Sequence, residues 1–161
     1  MKFDCYNYTK QEGFEATFPM TEDEIAKLNS TGEVMVEIPG YEVGVNLTTM
    51  NEFVKMLEEN GVDEKSYNIL SKAYLFNEIK ERLEKGESFS IIDFGAETSN
   101  WMSASFYDES DKGRLLYELE LAKFPVEVPE ELVEYMDYAM LWRNESINQG
   151  IREVDGNYLV A

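Results

Sequence analysis

Acidic side chains outnumber basic ones 33 to 14 in this chain of 161 residues, and the acids are 25 Glu against 8 Asp. This imbalance constrains the fold more than any other feature. A formal net charge of -19 has to sit on the surface. Glu is a good helix former and Asp is not, so the surplus belongs on the outer faces of helices. An acidic disordered chain would be poor in aromatics. Here 43% of residues are hydrophobic and 13% aromatic, which predicts a folded protein with an acidic skin.

The same composition narrows the function. Net charge speaks to partners rather than to fold. At this magnitude phosphates are repelled, which argues against direct nucleic-acid binding, and anionic membrane surfaces are disfavoured. Basic surfaces or cations are the natural partners. Histidine is absent and Cys5 is the only cysteine. That rules out an intrachain disulfide, ordinary zinc sites, and Cys-His or Ser-His-Asp catalysis, and it fits a reducing cytoplasm. No phosphate-binding Gly loop is present, and no cofactor is expected. Among 33 acids a pair of carboxylates at glycosidase spacing arises by chance. Asp108, Asp111, Gly113 and Glu118 invite a calcium loop, but Lys112 and Leu119 fall where ligands are required. The start MKFDCYNYTK lacks the apolar core of a signal peptide. No apolar run approaches the roughly 18 residues of a membrane span.

Along the chain, Lys2–Tyr8 reads as a strand with Phe3, Cys5 and Asn7 on one face. A turn at Glu12-Gly13 and a return strand over Phe14–Phe18 follow. Thr21 is the expected N-cap of a short helix, with Glu24 at the capping-box position, ending at Asn29 before Ser-Thr-Gly. Glu33–Ile38 alternates, with Val34, Val36 and Ile38 on one face. Pro39-Gly40 turns into a strand over Tyr41–Leu47. Thr48 or Thr49 is expected to cap a helix ending at Asn60-Gly61. A second helix is expected from Asp63 to Lys85, its core stripe formed by Tyr67, Leu70, Tyr74, Leu75, Ile79 and Leu83.

Phe89–Phe94 is a short apolar strand or a buried turn, Trp101–Tyr107 is ambiguous, and 108–113 reads as a loop. Residues 114–123 suggest a helix broken by Pro125. Pro129 opens a long helix to Asn148 with Leu132, Met136, Ala139, Met140 and Ile147 inward. Ile151–Val154 and Tyr158–Val160 form a terminal hairpin around Asp155-Gly156-Asn157. The expected class is α+β and elongated. Residues 1–47 form a small mixed-sheet lobe, 48–95 a helical middle lobe, and 96–161 a helical lobe with the hairpin.

The densest acidic constellation lies between residues 115 and 145: Glu118, Glu120, Glu127, Glu130, Glu131, Glu134, Asp137 and Glu145, against Lys123 and Arg143. On a continuous helix Glu130, Glu134 and Asp137 share a face, at a spacing that is locally unfavourable for like charges. Stability therefore does not account for them. Glu58, Glu59, Asp63, Glu64, Glu78 and Glu81 extend the acidic surface on the middle helices. B-DNA carries about two charges per base pair, so the net charge matches roughly ten base pairs. These acids are read as a partner-binding surface that imitates phosphates. Tyr135, Tyr138 and Trp142 form an aromatic stripe, either core or a dimer contact.

The segment Val128–Asn144, VPEELVEYMDYAMLWRN, resembles the C-terminal region of the ArdA antirestriction proteins. Pro129, Leu132, Tyr135, Asp137, Tyr138 and Arg143 fall at the positions of that family's Pro, Leu, Tyr-x-Asp-Tyr and Arg. Ile151–Val160 looks like its closing Val-Asp-Gly-Tyr strand, and Thr48–Leu57 is similar to a helix it places after its first lobe. The Glu12–Phe18 stretch has no Trp where the family has Gly-x-Trp, and Met136, Ala139-Met140 and Asn144-Glu145 also differ. The resemblance implies an elongated homodimeric mimic of B-form DNA, carried by mobile elements into bacterial cytoplasm. Such a mimic occupies the DNA-binding groove of type I restriction–modification enzymes without catalysis. Three alternatives stay open: an anti-CRISPR mimic of the same physical class, an acidic adaptor binding through Tyr135, Tyr138 and Trp142, and an enzyme with one indispensable carboxylate.

Overall fold

The computed structural model describes residues 1–98, 108–123 and 128–160. It is a mixed α+β protein, with eight helices and two small antiparallel sheets among the described residues. The chain divides into two compact units, Met1–Ser88 and Phe89–Ala161, where the sequence suggested three lobes.

In the first unit, β1 (Lys2–Asn7) lies between β2 (Glu12–Thr17) and β3 (Val34–Val36), and β4 (Val45–Asn46) pairs with β3. The expected mixed sheet is antiparallel in each of these pairings. Cys5 and Asn7 point into the core as the alternation predicts. The hairpin turn sits at residues 8–11 rather than at Glu12-Gly13, which lie within β2 paired to Asn7 and Tyr6. Buried Asn7 explains the shift. Its Oδ1 accepts from the backbone of Thr9 (3.1 Å) and Lys10 (3.0 Å), and its Nδ2 donates to Thr31 Oγ1 at 3.0 Å. An Asx turn of this kind needs no glycine.

Thr21 caps α1 (Glu22–Asn29) and forms the expected capping box with Glu24. The next helix, α2 (Leu47–Glu59), starts earlier than expected, because Asn46 rather than Thr48 or Thr49 accepts from Thr49 N at 2.8 Å. That cap also shortens the strand expected over Tyr41–Leu47 to two residues. Residues 1–47 and 48–88 share one core. Edge-on rings run Phe18–Phe3–Tyr67–Phe53, and Phe53 also packs on Phe76 at 4.4 Å. Buried Asn51 of α2 closes two hydrogen bonds with the Met20 backbone.

The single helix expected over Asp63–Lys85 is two, α3 (Glu64–Ala73) and α4 (Phe76–Glu84). Tyr74 and Leu75 are extended between them. The break buries both Tyr74 and Phe76 and turns Leu75 outward, which an unbroken stripe would have placed inside.

In the second unit, β7 (Asn157–Val160) lies between β5 (Ser90–Asp93) and β6 (Arg152–Val154). The expected terminal hairpin is present, its turn at Asp155 (φ 50°) and Gly156 (φ 75°). Such left-handed pairs match the strand twist of two-residue hairpins. The short α5 (Phe94–Glu97) follows β5.

Residues 108–113, expected as a loop, cap and begin α6 (Glu109–Glu118). Asp108 accepts from Ser110 N and Asp111 N, and Asp111 completes a capping box. The long helix expected from Pro129 is likewise two, α7 (Glu130–Val133) and α8 (Tyr138–Asn148). Asp137 is the cause at the joint. Its Oδ1 accepts from Met140 N at 2.9 Å, and an N-cap residue leaves the helical conformation. The break also overturns the expected core face: Leu132, Met140 and Ile147 are exposed, Met136 and Ala139 are half-buried, and Leu141 is buried. The core gathers Ile92, Phe94, Leu115, Leu116, Tyr158 and Val160, with Leu119, Ala122 and Trp142 against it. Trp101–Tyr107 and Pro125 lie outside the described residues. No helix among the described residues is long and apolar enough to cross a membrane.

Candidate partner-binding acidic surface

The six acids expected on the middle helices all lie in the first unit and are all exposed. Glu58 and Glu59 end α2, where Gly61 (φ 71°) turns the chain. Asp63 caps α3, accepting from Ser66 N at 2.7 Å, and Glu64 follows in the first turn. The Ser66 backbone and side-chain hydrogen bonds hold the Asp63 carboxyl below its ordinary range. Glu78 accepts from Leu75 N at 2.8 Å at the start of α4, and Glu81 lies one turn on. Helix starts favour negative charge, so Asp63, Glu64 and Glu78 are placed where the backbone stabilises them, whereas Glu58 and Glu59 stand at the opposite, disfavoured end of α2.

In the second unit Glu118, Glu120, Glu130, Glu131, Glu134 and Asp137 are exposed, and Glu127 lies outside the described residues. The expected single helix face through Glu130, Glu134 and Asp137 does not form. Glu130 opens α7, Glu134 closes it and Asp137 caps α8. The acids instead line the joint between two short helices. Beside that joint an open groove of about 730 Å³ is lined by Asp111, Glu118, Glu130 and Glu134, with Arg114, Tyr117 and Tyr138.

Glu145 departs from the expected surface. It is 7% exposed. Its Oε2 accepts from Lys123 N at 3.1 Å and from the Gln149 side-chain amide, while the same amide donates to Leu121 O at 2.8 Å. That carboxylate fastens the segment after α6 to α8, a structural task.

The placement of cations sharpens the field. Fifteen acids and five bases fall in residues 89–161, and 18 acids and nine bases in residues 1–88, so both units are acidic. In the second unit Arg114 pairs with Glu118 (2.7 Å), Arg143 with Glu109 (2.6 Å) and Lys112 with Glu153 (3.7 Å). Lys112 also lies over the rings of Trp142 and Tyr158. Burial works against its ammonium, but Tyr158 and Glu153 hold its pKa above the ordinary lysine value. Glu120, Glu130, Glu131, Glu134 and Asp137 make no ion pair among the described residues.

The aromatic stripe separates into two kinds. Trp142 packs edge-on against Tyr158 at 5.3 Å and belongs to the core. Tyr138 is half-buried, stacks edge-on with Tyr117, and donates from its hydroxyl to Val133 O at 3.1 Å. Tyr135 is 77% exposed. Pro129 and Arg143 are also exposed. Sequence periodicity missed the exposure of Leu132, Met140 and Ile147 (80% exposed), and it left Tyr135 open between core and contact. The signal available was Asp137 itself, an N-cap residue inside an apparently continuous helix.

No group of three or more His, Cys, Asp or Glu among the described residues is arranged to hold a metal ion. The chain matches no protein-family model and no curated protein.

Proposed function

We propose that this chain is an ArdA-like antirestriction protein, a non-catalytic mimic of B-form DNA that occupies the DNA-binding groove of a type I restriction–modification enzyme. The observation that carries the reading is the joint between α7 and α8. There Glu130, Glu131, Glu134 and Asp137 are exposed and make no ion pair among the described residues. The neighbouring arginines are engaged by Glu109 and Glu118. Fixed carboxylates of this kind replace the phosphates that a basic groove otherwise neutralises, and the net charge of -19 corresponds to roughly ten base pairs. The ArdA-like segment over Val128–Asn144 supplies the target class. In this reading the protein works as a homodimer in the cytoplasm of a bacterial host. Leu132, Tyr135, Met140 and Ile147, exposed on one unit, are the apolar residues this reading assigns to pairing.

Competition with a DNA duplex for a type I methyltransferase, titrated across salt, tests the proposal. The chain's own affinity for the methyltransferase, extracted from that competition after allowing for the duplex's salt dependence, should weaken by about 10³-fold or more between 50 and 200 mM salt, as for a polyelectrolyte interface with six or more contacts. Salt-independent binding, or none at any salt, refutes it. Combining Glu130→Gln, Glu134→Gln and Asp137→Asn separates mimic from adaptor. A mimic loses affinity in steps with each charge removed, whereas an adaptor docking through Tyr135 keeps it.

A further inference from the structure

Tyr67 carries a hydroxyl that the fold does not use. Its ring is enclosed, edge-on to Phe3 at 5.5 Å and to Phe53 at 5.7 Å, and the residue is 6% exposed. Its Oη makes no hydrogen bond with any described residue. A buried tyrosine ordinarily finds a partner for its hydroxyl, and phenylalanine would fill the same space without the cost of drying a polar group. Burial pushes the phenol up to about 12, so it stays neutral near pH 7.

Tyr67 lines an open notch of about 470 Å³ beside β1, the end of β3 and α3. The notch exists because the strand ladder stops there. Glu37 N donates to Asp4 O at 2.8 Å, and then Pro39, which has no N–H, leads the chain away. Phe3, Ile38 and Pro39 give the notch apolar walls. Asp4 and Glu37, cross-strand neighbours through that hydrogen bond, add two carboxylates, neither in an ion pair among the described residues. Ser71, one turn from Tyr67 on α3, adds a hydroxyl that donates to Asn68 O at 3.2 Å and keeps its capacity to accept. The cation among the lining residues, Lys2, is engaged by Glu15 at 2.6 Å.

We infer that this notch binds the side chain of an arginine presented by a partner protein. The apolar walls suit its aliphatic stem, for which a bare cation has no counterpart. A guanidinium carries five N–H donors and accepts nothing. Apart from Lys2, the polar side chains of the notch can all accept: the Asp4 and Glu37 carboxylates, Tyr67 Oη, Ser71 Oγ and the Asn68 amide oxygen. The planar fork of arginine matches carboxylates better than an ammonium does. The net charge of -19 draws basic surfaces towards the chain. The contact goes beyond the proposed mimicry, because a row of phosphates has no slot for an aliphatic stem.

N-acetyl-L-arginine N-methylamide is the probe, titrated into the full-length protein and followed by the amide resonances of Asn68 and Ser71. Saturable shifts in the millimolar range are expected, with weaker binding of the lysine analogue and none of the neutral citrulline analogue. Tyr67→Phe should weaken binding about tenfold, the loss of one hydrogen bond to a charged group. Its melting temperature should hold or rise, because the deleted hydroxyl has no partner in the fold. Asp4→Asn and Glu37→Gln, both at exposed positions, should each weaken binding likewise and serve if Tyr67→Phe folds poorly. The absence of saturable shifts, equal affinity for the citrulline analogue, or wild-type affinity in all three variants overturns the inference. Tighter binding of free L-arginine than of the blocked residue also overturns it, since the site would then take a small molecule. The duplex competition is unaffected by these outcomes, so the notch and the mimicry fail separately.

Discussion

Gly113 offers a case in which two physical arguments predict opposite signs. It lies inside α6, where Gly→Ala ordinarily stabilises by about 1 kcal/mol through helix propensity. Its surroundings say otherwise. A Cβ at Gly113 would stand 1.8 Å from Tyr138 O, 2.7 Å from Tyr138 C and 3.2 Å from Trp142 N. These are backbone atoms of α8, so no rotamer change relieves the clash. Reaching even the 3.0 Å floor of real Cβ contacts requires α6 and α8 to part by more than an ångström at the point of closest approach. That separation loosens Leu115, Leu116 and Trp142, which pack in the same core. Overpacking costs about 1–3 kcal/mol, and more where backbone must move. Gly113→Ala should therefore destabilise the second unit by about 2 kcal/mol after the propensity gain. For a unit of this size the melting temperature drops by roughly 8 °C or more. The assay is selective, because both tryptophans, Trp101 and Trp142, belong to residues 89–161. A tryptophan-fluorescence melt that stays put or moves upward refutes the reasoning and means the two helices do not meet at Gly113.

Glu145→Ala should also lower that fluorescence-detected transition. It strips the acceptor from Lys123 N and one of two acceptors from the Gln149 amide, a loss of about 1.5–3 kcal/mol for hydrogen bonds to a charged group. Cys5 reports the other unit. It is buried, and burial together with Asp4 and Glu37 pushes its thiol up to about 11, so a disulfide reagent at pH 8 should modify it only as Met1–Ser88 unfolds, and rapid labelling of native protein contradicts that packing. Acid should weaken the first unit through Glu24 and Asp63. Hydrogen bonds from Thr21 and Ser66 lower their pKa values from the ordinary 4.5 and 3.8. Their contribution is therefore complete above those values and lost as pH falls through the lowered ones. Asp63→Asn should flatten this part of an acid titration followed by circular dichroism, and an unaltered titration would remove Asp63 from the account.

Much of the first unit was legible in the sequence because its signals are local. Alternation in Lys2–Asn7 and Val34–Val36 and the Thr21–Glu24 box each fix their element within a few residues, as the Asp155-Gly156 turn does in the second unit. Helix continuity was the part that failed, twice in the same way. Tyr67 to Leu83 and Leu132 to Ile147 keep steps of three and four across a break, so periodicity reads one helix where there are two. At Tyr74-Leu75 the break follows from tertiary packing, since Tyr74 and Phe76 are both buried, and no local residue announces it. At Asp137 a capping side chain does announce it, and apolar spacing obscured it. The candidate site was legible as a list of acids but not as a geometry. Glu145 belongs to the same run as Glu134 and Asp137, and only the packing of residues 121–123 against α8 makes it internal.

The two breaks bear on how so acidic a chain stays folded. Like charges along one helix face repel, whereas an acid at a helix start is stabilised by unpaired N–H groups and the helix dipole. Cutting long helices into short ones multiplies such starts. Asp63, Asp93, Asp108 and Asp137 are N-caps, and Glu22, Glu24, Glu64, Glu78, Glu109, Glu130 and Glu131 occupy first turns. On the proposed reading, charge presented to a partner and charge that holds the fold are the same carboxylates, and the two contributions separate by substitution. Asp137→Asn keeps an oxygen to accept from Met140 N and should leave the fluorescence melt nearly unchanged while removing one charge from the α7–α8 joint. Asp137→Ala removes charge and cap together and should cost about 1 kcal/mol of stability. If the proposed mimicry holds, both variants lose the same increment of affinity for the methyltransferase, because the partner reads the charge alone. Loss of affinity in Asp137→Ala only would mean that the cap, through the course of α8, is what the partner requires.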